Sequence, residues 1–295
     1  MGMKLLPTLV LALSAVAARA EDLPPINAAP SGMVLPGKMI WADLFTANPA
    51  GEVRFYTGLF GWDAATLQRP GGATYIILTN GGKPVAGVVY RPAPPGDTGK
   101  GHWINYVAVS DVGQSLAAGT SLGGRVVHSP KELPRRGTEA ILADDQGSLV
   151  GLIRSSSGDP DDSEPAVGQW AWAHLSARDP ADASRFYHAV VGYDAVQDAR
   201  AGRQDVYLLN SQGFTRASLG PLPDRPEARP DWLGFVRVAN LDDALSRAAG
   251  LGARVLLPPK TTEPGSRLAI LADPADVAIG LVELTDSSAL ETQKP

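Results

Sequence analysis

Apolar residues recur along this chain in short runs with strand-like spacing, and these runs are interrupted by stretches with helical spacing. Lys38 to Phe45 reads as a strand. Asn48 then offers an N-cap with Pro49 in the first turn, and Phe55, Tyr56, Leu59 and Phe60 recur at helical spacing, so a helix follows. Short strands are expected around Thr74 to Thr79 and Pro84 to Tyr90. Beyond the Pro/Gly-rich loop APPGDTGKGH the pattern starts again. A strand from Trp103 to Val109 precedes a helix opened by Asp111 and stopped at Gly123-Gly124, and strands follow near Arg125 to Val127, Glu139 to Ala143 and Leu149 to Ile153.

The whole pattern is then written a second time. AILAD at residues 140 to 144 returns at 269 to 273, an offset of 129 that also relates VAVSDV from Val107 to VRVANL from Val236, SLGGRVV to GLGARVL, and GLI from Gly151 to GLV from Gly280. Upstream, WADLFTANPAGEVRFYTGLFGWDA from Trp41 answers WAHLSARDPADASRFYHAVVGYDA from Trp172 at an offset of 131, and the two surplus residues of the first copy fit the APPGDTGKGH loop. A repeat of this length is a duplicated domain, not a solenoid. Each residue therefore has a twin: shared positions build the fold, and differing ones individualise a site.

The chain has 295 residues. Met1 to Ala20 carries Lys4, an apolar run from Leu5 to Ala18 and an Ala18-Arg19-Ala20 cleavage signal, which reads as a secretory signal peptide. Residues 21 to 37 form an extended lead-in, 38 to 154 the first domain, 155 to 168 a polar linker, 169 to 285 the second domain and 286 to 295 a frayed tail. There is no cysteine, so no disulfide forms, and the expectation is a periplasmic or secreted protein with no membrane span after the leader. With 44% hydrophobic residues each domain can bury a core, while 32 glycines and 25 prolines favour many turns between short strands. A net charge of -5, with no basic stripe, argues against nucleic acid as a partner.

The order strand, DP or NP, helix ending RFY, then G-W/Y-D, duplicated, resembles the vicinal oxygen chelate superfamily, also called glyoxalase/bleomycin-resistance/dioxygenase proteins. The resemblance covers nearly all of both halves and implies an α+β fold: two tandem glyoxalase-like domains, each made of two βαβββ modules curled into a cleft. In metal-dependent members four ligands, commonly His, Gln or Glu, come from the first and last strands of each module. Those positions fall here at about Trp41, Gly87, Ile104 and Gly151, and at about Trp172, Ser218, Leu233 and Gly280. None supplies a good donor for a divalent metal, which puts the family's metal chemistry in doubt.

Residues two apart on a strand share a face, so the first cleft is expected to present Asp43, Phe45, His102 and Tyr106 beside Trp41, and the second Trp172, His174, Ser176, Arg216, Phe235 and Arg237. Trp41 and Trp172 are shared, as packing or as a stacking surface; Asp43 and His174 are twins that differ. Arg216 and Arg237 suit a ligand carboxylate or phosphate, or else simply face water. Asp144 and Asp273 are expected to organise turns, and His128 and His188 to be structural or superficial. Hydrolase, protease, nucleotide-binding and redox signatures are absent.

The preferred reading is an exported, metal-independent protein that binds a small, partly aromatic molecule through Trp41, Asp43, His102, Tyr106, Trp172, His174, Arg216 and Arg237, with no cofactor, as a monomer or homodimer. One alternative is a divergent metal-dependent lyase, isomerase or dioxygenase using a divalent metal on Asp43, His102 and His174. The other is a protein-interaction module.

Overall fold

A computed structural model of the chain describes residues 22–69, 73–93, 101–198, 205–226, 228–262 and 265–284. The segment read as a signal peptide, the segment read as a frayed tail and most of the APPGDTGKGH loop lie outside these residues. The first copy runs β1 (Met39–Thr46), α1 (Pro49–Phe60), β2 (Asp63–Gln68), β3 (Thr74–Asn80), β4 (Lys83–Tyr90), β5 (His102–Ala108), α2 (Val112–Ser121), β6 (Arg125–Leu133), β7 (Gly137–Ala143) and β8 (Leu149–Ser155). The second repeats it: β9 (Trp170–Ala177), α3 (Pro180–Val191), β10 (Asp194–Gln197), β11 (Tyr207–Ser211), β12 (Phe214–Pro221), β13 (Asp231–Arg237), α4 (Leu241–Gly250), β14 (Arg254–Thr261), β15 (Arg267–Ala272) and β16 (Ala278–Glu283). This is the expected α+β architecture of two βαβββ modules per domain.

Each copy forms one eight-stranded sheet, ordered β2-β3-β4-β1-β5-β8-β7-β6 and β10-β11-β12-β9-β13-β16-β15-β14. The first strands of the two modules lie antiparallel at the centre, with Trp41 opposite Tyr106 and Asp43 opposite Ile104, and each pairs in parallel with the last strand of its own module. All four helices start the same way. Asn48, Asp111, Asp179 and Asn240 cap them by accepting from the backbone N–H three residues on, which satisfies one of the orphan donors of a first turn. Gly61 and Gly192 end the first helix of each copy in the left-handed region (φ 71° and 85°), where a side chain would be strained.

Two details differ from the sequence expectation. The strand expected near Arg125 to Val127 runs on through His128 and Pro130 to Leu133 as β6, and its twin β14 likewise runs through Pro258 and Pro259. Both are bulged edge strands, where a proline's missing N–H removes no ladder bond. The second strand, β2, was not marked by alternation because nearly all its residues are exposed.

The helix-bearing faces of the two copies pack together, and the cores run across the domain boundary. One cluster joins Phe55, Tyr56 and Leu59 of α1 to Leu241, Ala244 and Ala248 of α4; the other joins Val112 and Leu116 of α2 to Phe186, Tyr187 and Val190 of α3. The first module thus pairs with the fourth and the second with the third. Within this seam the Tyr56 hydroxyl donates to Asp273 and accepts from Trp103 Nε1, while the Tyr187 hydroxyl donates to Asp144 and accepts from Trp232 Nε1. Asp144 and Asp273 also close their own turns, each accepting two backbone N–H groups on Oδ1.

Candidate functional site

With the helices packed in the seam, the opposite, concave face of each sheet is left to form a cleft. The two clefts are built alike and end differently. In the first, Trp41, Asp43, Tyr75, Ile77, Ile104, Tyr106, Ile141 and Ile153 are all buried, and Leu23 and Ile26 of the lead-in are packed among them. Asp43 Oδ1 accepts from the Tyr75 hydroxyl at 2.5 Å and from Trp41 Nε1 at 2.8 Å. Burial raises the Asp43 pKa, and its hydrogen bonds to Tyr75, Trp41 and Tyr106 and the Arg136 charge act against that rise. Arg136, wholly buried, places its guanidinium 4.0 Å from the centre of the Trp41 ring.

The second cleft lacks such a filling. Trp172, His174, Leu208, Ser218, Leu233, Leu268 and Ile270 are only half-buried. Strand pairing sets most of them on one face: His174 stands opposite Ser218 and Leu233, Ser218 opposite Leu208, and Ile270 opposite Gly280. Ser218 Oγ accepts from Trp172 Nε1 at 3.1 Å and lies 2.8 Å from His174 Nδ1. Directing the hydroxyl proton to Nδ1 assigns the imidazole hydrogen to Nε2. Desolvation lowers the His174 pKa to about 4, so the ring is neutral near pH 7. The result is an apolar wall with an indole face, a hydroxyl and one imidazole.

The remaining sequence candidates go elsewhere. His102 opens β5, its Nε2 3.6 Å from Asp231 of the second copy, and does not join Asp43. Arg216, whose side chain is 5% exposed, forms a bidentate pair with Asp162 of the linker and lies over the Phe214 ring. Arg237 binds the Pro165 carbonyl at 2.7 Å and the Glu164 carboxylate. Both guanidinium groups are thus engaged by the acidic linker. Sequence reasoning missed Tyr75 and Arg136 and treated residues 21 to 37 as a mere lead-in; the two apolar residues Leu23 and Ile26 in that Pro-rich stretch were the available signal.

The residues present do not fit a divalent cation of the superfamily type. A Cβ on Gly151 would lie 2.3 Å from the Tyr106 ring, and one on Gly280 2.2 Å from the Phe235 ring, so an aromatic ring covers each of these floor positions. Over Gly87 stand Tyr75 and Asp43 in the same way. Among the described residues no three His, Asp or Glu side chains are grouped to share an ion.

Known proteins agree with this architecture. Residues 38–152 match the family model described as Glyoxalase/Bleomycin resistance protein/Dioxygenase superfamily, and residues 172–282 match Glyoxalase-like domain. The chain is 30% identical over 264 residues to anthracycline biosynthesis protein DauV of Streptomyces sp. (strain C5), covering 85% of this chain and 95% of that one. It belongs to the vicinal oxygen chelate superfamily. A second superfamily relative, anthracycline biosynthesis protein DnrV of Streptomyces peucetius, is 29% identical and covers 85% of this chain and 94% of its own. Among solved structures, the Mn(II)-bound glyoxalase of Novosphingobium aromaticivorans superposes with a TM-score of 0.59 at 14% identity, covering 85% of this chain and 83% of that one. An extradiol ring-cleaving dioxygenase from B. fuscum gives 0.61 at 14%, covering 93% and 78%. At that identity the likeness is one of fold.

Proposed function

We propose that this superfamily member binds a small, planar, partly aromatic molecule in the cleft of its second domain, without a metal, after export and removal of residues 1 to 20. The observation that carries this reading is the difference between the clefts: the same concave face is buried in one copy and half-open in the other, where Trp172, Ser218 and His174 form a hydrogen-bonded edge beside apolar residues. A flat ring stacks on Trp172 and packs against Leu208, Leu233, Leu268 and Ile270, and His174 Nε2–H donates to a ligand oxygen. The naming of two relatives for anthracycline biosynthesis supports a fused aromatic ketone as the ligand class. Because the four modules pair within one chain, no second copy is needed to complete the cleft.

Elemental analysis of the purified chain, combined with thermal unfolding in the presence of 9,10-anthraquinone-2-carboxylate, tests this. The expected result is no stoichiometric metal and a ligand-dependent rise in Tm. One equivalent of metal that disappears in Asp43→Ala or His174→Ala overturns the reading in favour of a metal-dependent enzyme. Fractionation and intact mass of the expressing cell's protein test export; a chain retaining residues 1 to 20 in the cytoplasm contradicts it.

A further inference from the structure

The lead-in before Leu35 has no twin ahead of the second copy, although Gly37 itself answers Gly168, and its contacts divide into two parts. From Asn27 to Leu35 it is tied by hydrogen bonds to the start of the linker: Asn27 N to Ser157 Oγ, Asn27 Nδ2 to the Gly158 carbonyl, Ser31 Oγ to the Asp159 carbonyl, and Leu35 N to Asp159 Oδ2. Residues 22 to 26 lie beyond that tether. They enter the first cleft with the side chains of Leu23 and Ile26, and the Pro24 carbonyl accepts from Arg136 Nε at 2.9 Å.

What it covers is more polar than a core needs. Arg136 is fully buried, stacked on Trp41, and its Nη1 and Nη2 meet no hydrogen-bond acceptor; Glu139 Oε1, 3.9 Å from Nη1, also has none. Buried donors of this strength are normally satisfied. Beside them stand the Tyr75, Tyr106 and Asp43 groups. We infer that the first cleft is a second, gated binding site for a planar apolar molecule bearing a carbonyl or carboxylate, that Arg136 is its anchor, and that residues 22 to 26 are its intramolecular occupant. The segment already imitates such a ligand, offering apolar groups to the aromatic floor and a carbonyl oxygen to Arg136. A guanidinium fork whose two Nη groups have no hydrogen-bond acceptor takes a carboxylate that replaces the Pro24 carbonyl, with the ring lying over Ile104 and Tyr106.

In a gated site the apparent affinity is lowered by the fraction of molecules whose gate is closed. The test is calorimetric titration with 9,10-anthraquinone-2-carboxylate of the full chain carrying Trp172→Ala, with and without Leu23→Ser and Ile26→Ser. Opening the gate is expected to strengthen binding at least tenfold, and adding Arg136→Gln to abolish the gain. Unchanged binding in a variant with native near-UV circular dichroism overturns the inference. Strong binding by Trp172→Ala alone counts against the second-cleft reading instead, so the two fail separately. Hydrogen exchange on the unsubstituted chain covers the case of a variant that does not fold. Saturating probe is expected to speed exchange at residues 22, 23 and 26 while residues 27 to 35 stay protected, and no change at the former contradicts the gate.

Discussion

Tyr56 of the first copy donates its hydroxyl proton to Asp273 of the second, with Oη and Oδ2 2.8 Å apart in a fully buried seam. The reciprocal bond from Tyr187 to Asp144 spans 3.0 Å. The two motifs that most clearly mark the duplication, RFY and AILAD, therefore meet across it. Each copy supplies the tyrosine that completes the other's aspartate.

Removing one hydroxyl leaves a buried carboxylate short of a donor, so Tyr56→Phe and Tyr187→Phe are each expected to cost about 1–3 kcal/mol of stability. Urea unfolding of both variants measures this. A loss below about 0.5 kcal/mol, within the range of an ordinary surface change, would remove the seam from the account.

The seam is also asymmetric at one position. Glu52, buried beside Asp273, has no carboxylate twin, since Ala183 stands at its equivalent; its pKa is pushed up to about 9 by desolvation and then by Asp273. A folded-state pKa above the unfolded value of 4.5 means the folded chain holds the extra proton. Its contribution to stability is complete below pH 4.5 and is lost as pH rises through about 9. Stability measured from pH 5 to 9 should fall for the parent chain and fall less for Glu52→Gln, which keeps a neutral amide in place. Parallel curves would refute this.

His174 shifts the other way. With its pKa lowered to about 4 from 6.5, its stabilising neutrality is present above pH 6.5 and is lost as pH falls toward 4. The ring's NMR titration should report a midpoint far below the ordinary histidine value of 6.5. A midpoint near 6.5 would show that the ring is not desolvated where it meets Ser218.

The linker is held by charge at Arg216, whose guanidinium is almost fully buried against Asp162. Replacing Asp162 with Ala strands that charge, at a cost of about 3 kcal/mol, and should make residues 159 to 166 the first site of limited proteolysis. Equal protease resistance in the parent and the variant would show that the linker is held by other contacts.

Much of this fold could be read from the chain because its information is local. Asn48, Asp111 and Asp179 cap helices where the sequence placed them, and the twin offsets carried the architecture from one copy to the next. Face assignment by alternation also placed Trp41, Asp43 and Tyr106 in one cleft and Trp172 and His174 in the other. What alternation cannot show is what comes from outside the repeat to cover a face. Leu23 and Ile26 fill the first cleft from the lead-in, and Asp162 and Glu164 take Arg216 and Arg237 from the linker. His102 shared the face of Tyr106 by parity, yet it is the first residue of the strand and meets Asp231 of the other domain. These are contacts between segments far apart in sequence, for which a single chain offers no period to count.

The second cleft is the half-open one, and its proposed metal-free binding can be measured directly. Equilibrium titration of the chain with 9,10-anthraquinone-2-carboxylate in excess chelator, followed by tryptophan fluorescence, tests it most directly. The account predicts saturable binding unaffected by the chelator and weakened at least tenfold, about 1.4 kcal/mol, by Trp172→Ala. Binding that needs an added divalent metal, or that Trp172→Ala leaves intact, would contradict it.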